Sequence, residues 1–460
     1  MSSTPSHHLL SLVGRLRDIG GAEVPVSLTP RSRLTLRARF GPQDQPINGA
    51  RFEALTLDLP GGPVVLSACQ VDHFEAESAR LVFLSATYDC DALFTQGKAI
   101  DLCSYLDNLP IMLRANNHVS ATFKRYCADL IYGMAVHQRF FDEQDDIYRG
   151  EDAAVREIAQ RQLIGRHGPA FNRFFDEQLE QLEALVAPLP RQVYDRHATF
   201  FRAVTWQFIA RSEFLTRTNL KPRGYAGDAQ MMRMVYEPRY LGPRVFDQLL
   251  HYHPLTSVAA QAVRNRRKLV ANHLASIASD APRRFFSVAC GPAWEVRDLF
   301  QSAADATRWE GVLLDQDPEA LAAAQAEVEA VGRAIGAQLK IECVNDSVRT
   351  MLRTPQLAAR FGTFDFIYSM GLFDYLTPPV ARVVLRRLAA LLRPGGVMLV
   401  GNYDVANPTR HYMAFWMDWV LYLRTEAELL KLADGLEGVK GTVTRDPTGA
   451  QLFLRLERAR

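Results

Sequence analysis

Apolar and polar positions along the chain change period twice. In Arg33–Phe40, Phe52–Asp58 and Val64–Val71 they alternate, and turn signals at Gly41-Pro42 and Pro60-Gly61-Gly62 break the runs, so short strands and a small β-barrel are expected over 1–104. From Leu106 to about Asp280 the spacing becomes helical, as in Val155–Leu163 and Phe171–Val186, which predicts a helical domain over 105–280. Within it, Asn219-Leu-Lys-Pro-Arg-Gly-Tyr-Ala-Gly-Asp228 places a proline and two glycines between helical segments and reads as a structured loop.

Over 281–460 strands and helices alternate. Phe285–Cys290, Val312–Leu314, Lys340–Val344, Phe364–Ser369 and Val397–Gly401 read as strands, and Pro318–Ile335 and Pro379–Leu392 as helices. This order predicts an α/β unit whose mostly parallel sheet has right-handed crossovers. Asp446-Pro-Thr-Gly449 lies between two strand-like runs, Gly441–Thr444 and Gln451–Leu456, with no helix between them, so the sheet should end in an antiparallel hairpin.

Composition narrows the class. A chain of 460 residues, 48% hydrophobic and 23% charged, has enough apolar material for several cores. The net charge of +2 is spread along the chain, so no nucleic-acid footprint is expected and a small-molecule or protein partner is. Six cysteines (Cys69, Cys90, Cys103, Cys127, Cys290, Cys343) show no metal-ligand spacing, so free thiols, no metal and a reducing compartment are expected. There is no secretory signal pattern, and the most apolar segment, Tyr412–Leu423, is shorter than the roughly 20 residues of a membrane span and contains Asp418. A cytoplasmic protein without stable membrane insertion is the expectation; its oligomeric state is not legible.

The chemistry lies after the strand ends. Phe286-Ser-Val-Ala-Cys-Gly-Pro-Ala293 closes a buried strand with small residues before a helix, letting a ligand approach the backbone at a helix N-terminus. It resembles motif I of class I S-adenosylmethionine-dependent methyltransferases through Cys290, Gly291 and Pro292. Ser287 stands at the family's acidic position, and Ala289 and Ala293 stand where glycine is usual. Glu295 is the candidate for the missing carboxylate at the methionine end of the cofactor. A GxGxxG dinucleotide fingerprint is absent.

Asp315, with Gln316 beside it, ends the second strand, where an acidic side chain accepts ribose hydroxyls. Asp317, before Pro318, suits a helix N-cap. Asn345-Asp346-Ser347 closes the third strand, from which the family contacts the adenine amino group. Asp346 and Ser347 are candidates there, with helix capping as the equal alternative. Phe364-Asp-Phe-Ile-Tyr-Ser-Met-Gly-Leu-Phe-Asp-Tyr-Leu376 resembles the fourth-strand motif and would set Ser369, Met370 and Gly371 beside the adenosine, with Asp365 structural at the far sheet edge. Leu392-Arg-Pro-Gly-Gly396 is a shaping turn of the same family. These resemblances imply a Rossmann-like seven-stranded methyltransferase sheet and S-adenosylmethionine as cofactor.

A narrower resemblance spans about residues 210 to 432. Asn219–Asp228, Ala262-Val-Arg-Asn-Arg-Arg267, the Ala-Cys-Gly-Pro turn, Gly371–Leu376 and Gly401-Asn-Tyr with Trp416, Asp418, Trp419 and Arg424 are similar to the bacterial 3-hydroxypalmitic acid methyl ester biosynthesis group. The group is thought to methylate a 3-hydroxy fatty acid carboxylate to a signalling ester, which implies a small hydrophobic acid as partner. A carboxylate is ionised at neutral pH and needs only cations and donors to orient it; Tyr375, Asn402, Arg410 and Arg424 are candidates. Were the acceptor a hydroxyl or amine of another small molecule, a base would be needed, and His411 is the candidate. Tyr225 and Asp228 would close the cofactor site from the helical side, and Arg223 would either join them or tether the loop to a carboxylate. The aromatic segment Gly401–Arg424 reads either as an acyl-chain pocket or as an amphipathic helix on the sheet.

Arg31, Arg33, Arg37 and Arg39 ahead of Leu57-Asp-Leu-Pro-Gly-Gly-Pro63 faintly resemble a PilZ domain, in which arginines and an Asp/Asn-x-Ser-x-x-Gly motif hold a cyclic dinucleotide. Counting from Asp58, Pro60 and Pro63 replace the serine and glycine, so the resemblance is degenerate and a structural or interaction module is expected. A non-catalytic ligand-binding regulator is the alternative of another class for the whole chain.

Overall fold

The computed structural model describes residues 11–94, apart from 19, 33–34, 60–61, 76, 85, 87 and 91–92, and then 118–276, 282–354 and 356–460. Cys103, Arg33, Pro60 and the expected boundaries near 104 and 280 lie outside the described residues. The chain divides into two compact units, Met1–His118 and Val119–Arg460.

The first unit is an antiparallel sheet of eight strands: β1 (Leu12–Arg17), β2 (Glu23–Ser32), β3 (Thr35–Phe40), β4 (Arg51–Phe52), β5 (Ala54–Leu59), β6 (Gly62–Leu66), β7 (Cys69–Glu75) and β8 (Ser78–Phe83). Their order is β4-β7-β8-β3-β2-β1-β5-β6. Alternation turns Leu16, Leu28, Leu36, Ala38, Leu57 and Leu81 into one core, as the period of two requires. The expected barrel is instead a curled sheet, because β4 and β6 at its ends do not pair among the described residues. Arg37 and Arg39 point away from that core, and Asp58 is held by Arg15 at 3.2 Å.

The second unit begins with helices α1 (Ala121–Ile147), α2 (Ala153–Val186), α3 (Arg191–Ile209), α4 (Glu213–Leu220), α5 (Ala229–Tyr236), α6 (Val245–Thr256) and α7 (Val258–Ser276). The two helical segments read in Val155–Leu163 and Phe171–Val186 are one helix of 34 residues that passes through Pro169. The lost backbone bond is tolerated because Phe171, Phe175 and Leu182 on the same helix are fully buried. The loop after α4 starts where Lys221 turns left-handed at φ 47°.

The sheet of this unit contains β9 (Arg283–Val288), β10 (Trp309–Asp315), β11 (Lys340–Asn345), β12 (Phe364–Ser369), β13 (Leu392–Tyr403), β14 (Val439–Arg445) and β15 (Gln451–Arg458). Its order is β11-β10-β9-β12-β13-β15-β14. The five strands β9 to β13 pair in parallel, whereas β15 is antiparallel to both its neighbours, as the closing hairpin signal requires. Helices α8 (Glu295–Leu299), α9 (Ala303–Arg308), α10 (Pro318–Ile335), α11 (Val348–Arg353), α12 (Leu357–Phe361) and α13 (Pro378–Ala389) connect them.

Strand order reverses between β9 and β12, and a crevice outside the carboxyl ends of strands at such a switch is the usual ligand site of an open α/β sheet. After β13, only α14 (Arg410–Trp416) of the aromatic segment is helical, ahead of α15 (Glu426–Leu430). The longer amphipathic helix does not form, because Asp418 adopts φ 47°. No helix among the described residues is long and apolar enough to cross a membrane.

Candidate active site

A cavity of about 470 Å³ opens at the carboxyl ends of β9, β10 and β12 and is covered by the Lys221–Asp228 loop and α7. Its floor is the turn after β9. There Ala289, Gly291 and Ala293 have φ of 57°, 57° and 49°. Both alanines at glycine-like positions therefore hold a left-handed backbone, which costs an L-residue with a Cβ roughly 1–2 kcal/mol.

The turn is fixed by its neighbour strand. Asp315 Oδ2 accepts the Gly291 amide and Oδ1 the Asp317 amide, each at 2.9 Å. Burial pushes the Asp315 carboxyl above the ordinary range, and these two amides oppose the shift. One carboxylate thus shapes the floor and faces the cavity. Asp317 caps α10 through the Glu319 amide at 2.9 Å, in line with the capping expectation.

The serine at the acidic position has a compensating partner. Tyr368 donates its phenol to Glu295 Oε1 at 2.8 Å, and the Ser287 hydroxyl bonds the same phenol. Burial raises the Glu295 carboxyl, so the site keeps an acidic group on the opposite side of the turn. Asp346 also lines the cavity. Burial pushes its pKa up, but bonds from Thr350, Ser347 and Arg360 outweigh that and lower it.

The loop expected to close the site does so through Tyr225, which lines the cavity and meets Tyr375 edge-on at 6.3 Å between ring centroids. Arg223 is the tether: it reaches Asp317 at 2.7 Å and also Glu319. Gly227 is required by close approach, since a Cβ there would lie 2.7 Å from Trp419 and 2.9 Å from the Tyr375 hydroxyl.

Of the expected cofactor residues, Tyr225, Ala289, Cys290, Gly291, Pro292, Glu295, Asp315, Gln316, Asp346, Met370 and Gly371 line this cavity. Three do not. Asp228 is buried as the cap of α5, bonded to the Met231 amide at 3.0 Å and paired with Arg217. Ser347 caps α11, and Ser369 donates to the Val288 carbonyl at 2.8 Å. All three are used by the fold.

The expected acceptor residues need more correction. Tyr375 lines the cavity, but Asn402 and Arg424 line none: Arg424 spends its guanidinium on the Phe373 and Leu376 carbonyls and on Asn402. Arg410 and His411 lie in a second cavity of about 290 Å³. Arg410 pairs with Glu183 at 2.9 Å. His411 accepts or donates at Nδ1 to Tyr194 at 2.8 Å, and burial lowers its pKa to about 4.

Sequence reasoning missed Arg266. It lines the cavity from α7 and is 8% exposed. Its guanidinium donates to the Met370 carbonyl at 3.0 Å and lies against Met232 sulfur at 3.6 Å. Its spacing on an amphipathic helix, among Arg264 and Arg267, is that of a solvated face. Asp374 was also unassigned. It is buried, accepts the Tyr403 amide at 2.7 Å, and burial raises its pKa to about 7.

Residues 286–398 match the family model of a methyltransferase domain. The chain thus carries a methyltransferase domain over this stretch. Similar solved structures include a possible exported protein from Bordetella parapertussis, at 19% identity over 64% of this chain and 98% of that chain, TM-score 0.42. Magnesium protoporphyrin IX methyltransferase from Synechocystis PCC 6803 with bound cofactor follows at 13%, 44%, 85% and 0.32. The N-methyltransferase NodS from Bradyrhizobium japonicum WM9 with S-adenosylhomocysteine stands at 16%, 43%, 88% and 0.30. None of the curated proteins matches the chain.

The donor set of the cavity fits the expected S-adenosylmethionine. Asp315 suits the ribose, the left-handed Gly291 turn and Glu295 suit the charged amino-acid end, and Asp346 suits the adenine amino group.

Proposed function

We propose that the enzyme methylates the carboxylate of a small hydrophobic acid, a 3-hydroxy fatty acid being the instance that the sequence resemblance suggests. Arg266 carries this reading. A buried guanidinium normally has a carboxylate partner, because desolvating it unpaired costs several kcal/mol. Among the described residues no carboxylate stands within ion-pair distance of Arg266: it bonds the Met370 carbonyl, Met232 and the Tyr236 phenol, while the buried Glu295 and Asp374 act on it only at longer range, so an anionic guest would give it a direct partner.

The bound cofactor supplies an electrophilic methyl group on a cationic sulfur. Arg266 holds one carboxylate oxygen while the other forms the bond to the methyl carbon and the sulfur–carbon bond breaks, its electron pair staying on sulfur. No proton moves, so no base is required. Opposite charges are consumed together, which a site dried by Met232, Leu372, Leu376 and Val380 favours. The chain's other task is alignment. His411, the base candidate for a hydroxyl or amine acceptor, lies in the second cavity, which supports the carboxylate reading.

We read the N-terminal unit as a structural or interaction module, since Asp58 of the PilZ-like pattern is engaged by Arg15. Arg266→Gln tests the acceptor assignment. It should raise KM for the acid on the order of tenfold to a hundredfold, as loss of a charged hydrogen bond does, while binding of S-adenosylhomocysteine stays within about twofold. A loss confined to cofactor binding would assign Arg266 to the cofactor and remove the support for a carboxylate acceptor.

A further inference from the structure

A hydrogen bond joins a wall of the second cavity to a wall of the first. Trp419 lines the second cavity and Tyr375 the first, and the indole Nε1 donates to the phenol oxygen at 2.8 Å. Gly227 packs against both rings. Arg266 lines the first cavity beside the expected cofactor residues, where it would meet the head of an acceptor.

The walls of the second cavity come from Leu189, Met413, Trp419, Leu421 and Leu423. Its rim arginines already have carboxylate partners, Arg410 with Glu183 and Arg191 with Asp195, each at 2.9 Å. That contrasts with Arg266. The chemistry of this space is thus apolar, with no cation waiting for an anion.

The partition sits on a loaded backbone. Asp418, directly before Trp419, is a non-glycine residue at φ 47°, and ion pairs from Lys221 at 2.5 Å and Arg202 at 3.1 Å hold it there. Lys221 begins the loop that carries Tyr225 and Gly227 over the first cavity. The position of Trp419 and the closure of the cofactor site therefore share one anchor.

We infer that the second cavity receives the aliphatic chain of the acceptor, with the Tyr375–Trp419 hydrogen bond as the partition that opens to admit it. This rests on the carboxyl-methylation reading. Arg266 holds the head, and the chain passes Gly227 into the apolar space.

The test uses the full chain with butanoate, octanoate and dodecanoate. Turnover is measured as methyl ester formed, and binding to the S-adenosylhomocysteine complex is measured separately by calorimetry. Each methylene entering the cavity should tighten binding about fourfold, so affinity rises and KM falls steeply along the series. Leu421→Trp, which fills the cavity, should weaken dodecanoate tenfold or more and leave butanoate unchanged. Trp419→Phe, which only cuts the hydrogen bond, should not weaken dodecanoate and guards against misfolding of the first variant. If butanoate and dodecanoate are esterified with equal KM, or Leu421→Trp affects both alike, the chain site is refuted while carboxyl methylation stands. If no acid is esterified but dodecanoate binding still falls selectively in Leu421→Trp, methylation falls and the apolar site stands. Absence of both ester and binding overturns both.

Discussion

Asp315 and Gly291 are joined by a hydrogen bond of 2.9 Å from the glycine amide to the carboxylate, which ties the end of β10 to the turn after β9. The residue suited to the ribose therefore also builds the floor under it. Asp315→Asn keeps one of the two backbone bonds and loses the charge. S-adenosylhomocysteine affinity should fall about tenfold to a hundredfold by calorimetry, and Asp315→Ala should abolish measurable binding. Unchanged affinity in the alanine variant would sink the assignment.

Ala289 is strained by its positive φ. Ala289→Gly removes the clash between Cβ and backbone at the cost of some unfolded-state entropy, so we expect a gain of up to roughly 1 kcal/mol. Urea denaturation reads this as a raised midpoint at constant slope. A lowered midpoint would mean that the turn is not left-handed in solution.

Which parts of this were legible in the chain follows from how far each residue's partner lies in sequence. The strands and the closing hairpin were readable because period and turn chemistry are local, and Asp315 was readable as a cavity residue because it stands at a strand end. Arg266 was not: its helix looks solvated until the Met370 carbonyl, far along the chain, is folded against it. Asn402 and Arg424 failed the other way. Polar residues in an aromatic segment suggested a pocket mouth, yet Arg424 satisfies the Phe373 and Leu376 carbonyls around the Phe373–Tyr375 turn and Asn402 those of Tyr403 and Tyr422. Arg410 and His411 lie in the same aromatic segment, and α14 places them in the second cavity.

Two buried histidines weaken the native state in acid, and Asp374, raised to about 7, acts in the opposite sense. His251 and His411 are each lowered to about 4 by burial, from an ordinary 6.5. Between those values the unfolded chain binds protons on these two histidines that the native chain does not, so their contribution to stability rises with pH through this window and is lost as pH falls from 6.5 toward 4. Each contributes at most roughly 3 kcal/mol to that loss. His411→Phe should flatten the dependence in denaturation at pH 4.5 to 7, whereas an unaltered slope would show that His411 titrates normally.

Arg223 ties the covering loop to α10 through Asp317 and Glu319. Arg223→Ala should loosen that cover and weaken S-adenosylhomocysteine about fivefold to tenfold, while the thermal midpoint shifts little, because the two ion pairs lost belong to one partly exposed guanidinium. An equal affinity would make the loop a bystander.

The most direct test of carboxyl methylation is the chemical fate of the methyl group. The enzyme is incubated with methyl-labelled S-adenosylmethionine and 3-hydroxy fatty acids, and the product is treated with mild base. A methyl ester releases its label as volatile methanol, which is the result predicted here. Label that survives base in the small-molecule fraction, or that appears only in protein, would contradict it.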